Sequence, residues 1–471
     1  MGKIAVASVL MALAAAVAGG AACSSTLDLQ PSTDAAVPDA SIGDDASAVS
    51  DAGNGSAVDA PARGADAGPY SGLHCAAPPC AIAIAAGGSH ACALLDDHTV
   101  RCWGQNAFGE LGSGALDGGR VIPAQTPTPT AVPGLTGVAQ IATGGYGSGL
   151  GVSCAIGGAA AATTGLADGG VVCWGSNASG ILGLGNAADG ASPPAQSIAA
   201  LPIALPAVVQ LALGGFFGCA LVPGGGVSCW GDDSEGELGR AIDGGSFDPT
   251  PSPVRLPGPA TAVATGKNHA CALLANRSVV CWGAADHGAI GTVADAGVTT
   301  PQAVTGLTAT ELTAGEVSTC AITPAGAVAC WGGNQGGQLG RGDAAAGAVD
   351  PTPQAVALPS GLTALHIASA VASTCALMSD RSVWCWGDNA YGELGTGVAV
   401  PGFSATPAQA QGLANIVQIA SGAGGWTACA LLDDGSVRCW GANYADQLGV
   451  DTSDDAGPDE SPHPVPLRVA F

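Results

Sequence analysis

Seven copies of one cysteine-pair pattern limit what this chain can fold into more than any other feature of its sequence. In each copy, a cysteine followed by Ala-Leu or Ala-Ile precedes a turn and then the tripeptide Cys-Trp-Gly. Successive copies begin 49 to 65 residues apart. Self-similarity at such a period predicts an array of similar supersecondary units. The pairs are Cys92 and Cys102, Cys154 and Cys173, Cys219 and Cys229, Cys271 and Cys281, Cys320 and Cys330, Cys375 and Cys385, and Cys429 and Cys439.

The spacing of these cysteines predicts one disulfide across each of seven β-hairpins. In six pairs the cysteines are ten residues apart, with hairpin residues such as Asp433-Asp434-Gly435 between them. An even spacing across a turn places both side chains on one face of adjacent antiparallel strands, at the separation that a disulfide needs. The second pair contains an insert, residues 157–170, which lengthens its turn. Zinc or redox chemistry is the alternative, but the sequence has no Cys-x-x-Cys spacing to support it.

Three of the seventeen cysteines lie outside the repeats. Cys75 and Cys80, in Cys-Ala-Ala-Pro-Pro-Cys, are expected to pair with each other just before the first strand. The third is Cys23, near the N-terminus. So many cysteines do not suit a reducing cytosol, and they indicate an exported protein.

The N-terminal residues are typical of an export signal. Residues 1–22 contain one lysine and then an apolar stretch, residues 4–17, which is too short to span a membrane. Gly20-Ala21-Ala22-Cys23 resembles the lipobox of bacterial lipoproteins, although Leu or Val is usual where Gly20 stands. This resemblance implies a lipid anchor on Cys23 and a location at the outer membrane or cell surface. An ordinary signal peptide and a secreted protein are the alternative.

Residues 23–74 are predicted to form a disordered linker, because Ala, Asp, Ser, Gly and Pro dominate this segment and large apolar residues are scarce. Residues 75–471 then form the folded part. The positive mean hydropathy of the whole chain, +0.36, comes from small apolar residues, since no apolar run beyond the signal is long enough for a membrane helix. The abundant Gly and low charged fraction favour short strands and tight turns over amphipathic helices.

A second motif follows each Cys-Trp-Gly. It is Gly-Gln-Asn-Ala-Phe-Gly-Glu-Leu-Gly at residues 104–112 and Gly-Asp-Asn-Ala-Tyr-Gly-Glu-Leu-Gly at residues 387–395, and a Pro-rich stretch and an apolar strand come after it. Over about residues 81–471 this pattern resembles the RCC1-like (regulator of chromosome condensation type) repeat family. In that family's His position, only His90 and His269 carry histidine, and a structural hydrogen bond is the expected role of both.

The resemblance implies an all-β fold, a seven-bladed β-propeller with four-stranded antiparallel blades. One disulfide is expected in each blade. Because the chain begins and ends within the motif, we expect the N- and C-terminal segments to close the ring, with a C-terminal half-blade pairing with the N-terminal strands.

The chemistry-bearing residues do not form a recognisable catalytic set. No Ser-His-Asp or Gly-x-Ser-x-Gly context is present, and no cofactor is expected. The acidic segment of residues 451–459 faintly resembles a calcium loop with oxygen ligands at alternate positions, and its candidate ligands are Asp451, Asp455 and Asp459. The distal glutamate is missing, which favours a solvated turn. A net charge of −25 with only 12 Lys and Arg argues against nucleic-acid binding.

These observations predict a non-catalytic, lipid-anchored cell-surface protein, expected to be monomeric, that binds a protein or glycan partner through loops on one propeller face. One alternative is a glycoside hydrolase or lyase, whose carboxylates from several blades would converge at one channel mouth with raised pKa values. Another is a purely structural component of the envelope.

Overall fold

The computed structural model describes residues 73–75, 78–117, 120–147, 150–158, 166–185, 195–242, 245–342, 348–399, 402–452 and 459–471. These residues form seven four-stranded antiparallel sheets, as the sequence predicted. The expected signal peptide, the lipidated Cys23 and nearly all of the linker lie outside the described residues. The described part of the chain contains no helix with the length and apolar character required to cross a membrane.

Blades 1 to 4 each use four strands that follow one another along the chain, apart from one small inserted hairpin. Blade 1 contains β1 (Ala81–Gly87), β2 (His90–Leu95), β3 (Val100–Gln105) and β6 (Gln125–Ala131). Blade 2 contains β7 (Val138–Gly144), β8 (Val152–Gly157), β9 (Val171–Ser176) and β10 (Gln196–Pro202). Blade 3 contains β11 (Gln210–Leu213), β12 (Phe217–Val222), β13 (Gly226–Asp232) and β14 (Phe247–Pro253). Blade 4 contains β15 (Ala260–Thr265), β16 (His269–Leu274), β17 (Val279–Gly283) and β18 (Val298–Ala303).

Blades 5 to 7 repeat this arrangement. Blade 5 contains β19 (Glu311–Ala314), β20 (Ser318–Ile322), β21 (Val328–Gly333) and β22 (Val349–Ala355). Blade 6 contains β23 (Ala364–Ser369), β24 (Ser373–Met378), β25 (Val383–Asp388) and β26 (Phe403–Gln409). Blade 7 contains β27 (Ile416–Ser421), β28 (Thr427–Leu432), β29 (Val437–Asn443) and β30 (Asp459–Arg468). The inserted hairpin in blade 1 is β4 (Ala115–Asp117) and β5 (Arg120–Ile122), and a short 3-10 helix (Ala178–Gly180) follows β9.

Each blade has its cysteine pair on its second and third strands. In blade 1, Cys92 of β2 lies directly opposite Cys102 of β3, and the equivalent cysteines face each other in the other six blades. The Cα atoms within these pairs are 4.0 to 4.1 Å apart, and all seven form the predicted disulfides. Cys75 is likewise bonded to Cys80.

The tryptophan of each Cys-Trp-Gly joins its blade to the preceding one. All seven are fully buried, and each indole Nε1 donates a hydrogen bond to a backbone carbonyl in the Gly-Glu-Leu-Gly region of the blade before. These bonds are 2.7 to 3.1 Å long, and a buried indole needs such an acceptor. They run from Trp103 to Gln447, Trp174 to Glu110, Trp230 to Ile181, Trp282 to Glu237, Trp331 to Ala289, Trp386 to Gln338 and Trp440 to Glu393.

The ring closes differently from the sequence expectation. The terminal segments do meet, but no blade shares strands from the two ends, so the prediction of a mixed closing blade is wrong. The first described strand, β1, is the inner strand of blade 1, and the last, β30, is the outer strand of blade 7, so each of these blades has its own four strands. Closure instead uses contacts between the complete blades 1 and 7. The Gln418 amide accepts from the backbone N–H of Ile84 and donates to its carbonyl, both at 2.9 Å, and the backbone N–H of Ala81 donates to the carbonyl of Gly435 at 3.2 Å.

The propeller has two unlike faces. The loop face, as we call it, carries the turns between first and second strands and the connections between third and fourth strands, which are 14 to 19 residues long. The turn face carries the turns between second and third strands and the connections between blades. Its hairpin turns are 3 to 5 residues long, except for the insert in blade 2. Long connections on one side only make the loop face the place to search for a site.

Candidate binding site at the mouth of the central channel

The central channel is narrow and lined by small side chains. The first strand of each blade contributes to it, and the enclosed cavity of about 40 Å³ has room for roughly three water molecules. Among the described residues that line it, none carries a carboxylate. They are Ala86, Thr143, Leu211, Ala212, Leu213, Val263, Ala264, Thr265, Thr313, Ala314, Ser369, Ala420, Ser421, Gly422 and Ala423.

An aromatic cluster covers the loop-face mouth of this channel. Trp426 lies at its centre, and the ring centroids of Tyr146, Tyr391 and Tyr444 are 6.4, 6.5 and 6.3 Å from that of Trp426. All four side chains are half-buried. The whole chain has only four tyrosines, so three of them meet at this one place. We call Trp426 and these three tyrosines the mouth cluster.

A charged bridge extends the mouth cluster across the channel. Lys267 of blade 4 places Nζ 3.8 Å from the centroid of the Tyr146 ring and 2.6 Å from Oε1 of Glu316 in blade 5. The Tyr146 hydroxyl donates to the same oxygen at 3.0 Å. Although partial burial opposes its charge, the hydrogen bond and negative charge of Glu316 raise the pKa of Lys267 above its ordinary value. The bridge therefore holds a charged ammonium between a ring face and a carboxylate.

A glycine and a short turn allow Tyr146 of blade 2 to contact Trp426 of blade 7. The turn of blade 1 is short, and the turns of blades 2 and 7 contact each other above it, where the Gly147 N–H donates to the Gly424 carbonyl at 3.1 Å. A Cβ on Gly424 would overlap the carbonyl oxygen of Gly145, so only glycine fits there. This contact brings Tyr146 beside Trp426.

A small cavity opens next to the bridge, between blades 3, 4 and 5. Its volume is about 160 Å³, and its walls include Glu235, Lys267, Asp286, His287 and Glu316. The His287 Nδ1 lies 2.9 Å from the Asp286 carboxylate. The cavity thus continues the mouth cluster sideways, and its walls combine three acidic side chains with one lysine, two histidines and several apolar residues.

Exposed apolar side chains are concentrated on the same face. Ten large apolar side chains are exposed in the described residues, and seven belong to the loop-face connections or to the first residue of an outer strand. These seven are Leu116, Ile122, Phe247, Val293, Val349, Val398 and Phe403. The loop face therefore offers a ring of apolar contacts around its aromatic centre.

The two repeat histidines have the structural role that was expected. His90 Nε2 is 2.8 Å from Ser153 Oγ, and His269 Nε2 is 2.9 Å from Thr319 Oγ1, so each histidine joins its blade to the next one. Burial lowers the pKa of both imidazoles to about 4. They are therefore neutral hydrogen-bonding groups at neutral pH.

The acidic residues of the weak calcium pattern are only partly described. Asp459 accepts hydrogen bonds from Thr452 and Ser461, and its carboxylate is 2.7 Å from His463 Nε2. Although desolvation opposes it, these bonds together hold the pKa of Asp459 well below its usual range. Asp455 lies outside the described residues, while Asp451 is within them. The carboxylate of Asp459 is thus engaged by protein donors, and the solvated turn that the sequence favours over a calcium loop stays a prediction.

Three buried glutamates form part of the repeat rather than part of the channel. Burial raises the pKa of Glu110 to about 7, of Glu237 to about 8 and of Glu393 to about 7. One oxygen of each accepts a backbone N–H two residues earlier, while Oε1 has no hydrogen-bond partner. Gln338 and Gln447 take the same position in two other blades. The hydrolase alternative requires carboxyls with raised pKa values that converge at one mouth of the channel. These three carboxyls have raised pKa values, but they lie in separate blades and do not converge.

Sequence reasoning missed the mouth cluster. Tyr146 and Trp426 each follow a pair of glycines near the end of an inner strand. An aromatic residue directly after such a glycine pair was the sequence signal that could have indicated the cluster. The meeting of residues from blades 2, 4, 5, 6 and 7 depends on ring closure, which the repeat pattern does not describe residue by residue.

Comparisons with known proteins identify the family. Residues 146–470 match the model of the RCC1-like domain, and residues 81–110 match the regulator of chromosome condensation (RCC1) repeat. The chain is 27% identical to the ultraviolet-B receptor UVR8 of Arabidopsis thaliana over 385 residues, covering 79% of this chain and 80% of that one. It is 32% identical to the mitochondrial RCC1 domain-containing protein RUG3 of the same plant over 218 residues, covering 44% of this chain and 43% of that one.

Solved structures show the same fold. Prp20p of Saccharomyces cerevisiae superimposes with a TM-score of 0.64 at 22% identity, covering 85% of this chain and 88% of that one. The family match spans well over half of the sequence, and the repeats, blades and interblade tryptophans agree with it. This chain belongs to the RCC1-like family.

Proposed function

We propose that this chain is an exported, lipid-anchored protein without a catalytic role, which binds a protein partner through its loop face at the cell surface. The convergence of Trp426 and three tyrosines at the channel mouth is the observation that carries this proposal. Tyrosine and tryptophan are enriched among the residues that dominate protein–protein binding energy, especially near the centre of an interface.

The surroundings of the cluster support a protein-sized partner. Exposed apolar residues such as Phe247 and Phe403 surround it at the rim of the face, and the channel below has space for only a few water molecules. Protein binding also occurs among relatives: the solved structures include yeast RCC1 bound to Kap60, and Prp20p was studied for binding to Gsp1p and histones. The partner of this chain would differ, since it would meet the protein outside the cytoplasm.

The proposed location follows from the cysteines. Eight disulfides suit an oxidising compartment, and Cys23 follows a signal-like segment with a lipobox-like end. Lipid on Cys23 would anchor the propeller through the linker of residues 23–74. Substituting Cys23→Ser should release the protein from membranes, which fractionation and mass spectrometry of the mature N-terminus can check. An unmodified Cys23 would leave a secreted form.

The binding proposal is tested by comparing two tryptophans. Trp426 and Trp384 are both half-buried, but Trp384 lies on β25 beside the turn-face residue Ser382, to which its indole donates. The mature protein and its Trp426→Ala and Trp384→Ala variants would be used to capture proteins from envelope extracts. We expect Trp426→Ala alone to weaken capture of a specific protein by about 30-fold or more, equivalent to about 2 kcal/mol. Equal capture by both variants would refute the proposed face.

A further inference from the structure

The charges of the loop face are unevenly matched. Each of the three cations whose side chains are described on this face is paired with a carboxylate: Arg240 with Asp248, Lys267 with Glu316, and Arg341 with Asp350, at 2.6 to 2.8 Å. Other described acids there have no cationic partner, among them Asp232, Glu235, Asp388 and Asp446. The loop face therefore has surplus negative charge, within a chain whose net charge is −25.

The mouth already holds one cation in a defined way. Lys267 is the only lysine after residue 3, and its ammonium lies on the Tyr146 ring while bonded to Glu316. Trp426 is adjacent to that ring, and tryptophan provides the most favourable ring face for a cation. The same combination of aromatic face and carboxylate would accept a cationic group from outside.

We propose that the partner presents a basic segment to this site, with an arginine or lysine side chain packed on Trp426 and its charge directed to the surplus carboxylates. This inference rests on the proposed function, and it adds the chemistry of the partner. The cavity beside the bridge has space for a second basic side chain, whose charge would be directed to Glu235, because Asp286 and Glu316 in its walls are already paired with His287 and Lys267. Long-range attraction to the acidic face would also speed the association of a basic partner and repel acidic ones.

Two substitutions in the bridge separate this proposal from a purely structural role. Lys267→Met and Glu316→Gln both break the same ion pair, so a structural role would make them act alike. Cation binding makes them act in opposite directions, because the first releases a carboxylate and the second leaves an unpaired ammonium. The probe is a fluorescent hexapeptide of alternating Arg and Gly, compared with its Glu–Gly counterpart and measured by anisotropy at low and high salt.

We expect Lys267→Met to tighten binding of the Arg peptide by about threefold and Glu316→Gln to weaken it by about threefold. Trp426→Ala should weaken binding by about tenfold, Trp384→Ala should not change it, and salt should weaken it in every variant. The Glu peptide should not bind. Thermal unfolding of each variant checks that the propeller remains folded.

Several results would overturn the inference. If Lys267→Met and Glu316→Gln change the affinity for the Arg peptide in the same direction, the bridge has only a structural role. If Trp384→Ala weakens peptide binding as much as Trp426→Ala does, the peptide binds over the whole acidic surface and not at the mouth cluster. If a captured partner depends on Trp426 but is not displaced by the Arg peptide, the proposed function stands and the basic segment does not. If no partner depends on Trp426 while the peptide still discriminates the variants, the peptide site stands and the proposed function fails.

Discussion

The loop face and the turn face are built from the same seven repeats, yet they differ in covalent constraint and in chemistry. On the turn face, each hairpin turn lies inside a loop closed by a disulfide, as in the ten-residue separation of Cys271 and Cys281. On the loop face the connections are longer and carry the mouth cluster and most exposed apolar residues. Covalent constraint is therefore concentrated towards one end of the blades, and exposed aromatic and apolar side chains towards the other.

The two faces are held in a fixed conformation by different interactions. Short turns closed by disulfides lose little entropy on folding, so the turn face needs few side-chain contacts. The loop-face connections are held by buried polar groups of the repeat, such as the Asn106 carboxamide oxygen, which accepts the Leu111 N–H at 3.0 Å. Residues between these fixed points are free to vary in chemistry.

The largest effect that we predict concerns Glu237, one of the buried polar side chains that hold the loop-face connections. The raised pKa of Glu237 means that the native state holds its proton more tightly than the unfolded chain does. This contribution to the free energy of unfolding is therefore complete below pH 4.5 and is lost as pH rises towards about 8. We expect Glu237→Gln to raise the free energy of unfolding at pH 9 by about 3 kcal/mol and to change it little at pH 4. Urea unfolding with intact disulfides measures both.

The chain provides a matched reverse variant for this prediction. Gln338 occupies the position of Glu237 in blade 5, with the same hydrogen bond to a backbone N–H two residues earlier. Gln338→Glu should create a new loss of stability at alkaline pH. If neither variant changes the pH dependence, the Glu237 carboxyl is ionised at neutral pH and is not held neutral by burial.

A slightly smaller effect is expected from the turn face. Replacing Cys271 and Cys281 by Ala should lower the free energy of unfolding by about 2–3 kcal/mol, because the unfolded chain is no longer constrained. Binding to the loop face should be unchanged in the folded protein. Calorimetry and the capture assay measure the two quantities. Loss of binding at a temperature where the variant is folded would contradict the separation of the two faces.

The smallest effect is expected at the rim. Phe403 on the loop face and Leu365 on the turn-face side are 45% and 47% exposed, which makes them a matched pair. Phe403→Ser should weaken partner binding by about twofold to threefold, because rim contacts contribute little, and Leu365→Ser should not affect it. Titration of the captured partner against both variants decides this. A larger loss with Leu365→Ser would move the interface to the turn face.

Much of the fold followed from local pattern. The spacing of Cys92 and Cys102 predicted a hairpin disulfide, and the repeated Trp-Gly and Gly-Glu-Leu-Gly motifs carried the family resemblance that implied the blades. The mixed closing blade was wrong because the position of the repeat motifs along the chain does not state which strands pair. The bond between Gln418 and Ile84 joins residues 334 apart. The equivalent glutamine of blade 3, Gln210, makes the same pair of bonds to Val263 of blade 4, so the repeat specifies the kind of contact and ring closure decides its partner.

The number of blades and their disulfides could be predicted from the amino-acid sequence, because each depends on residues close together within one repeat. Which residues meet at the channel mouth became visible only in the folded ring. Tyr146 and Glu316 are 170 residues apart and come from blades 2 and 5. They bond to each other because a closed ring directs equivalent turns from all seven blades towards one axis, whatever their distance along the chain.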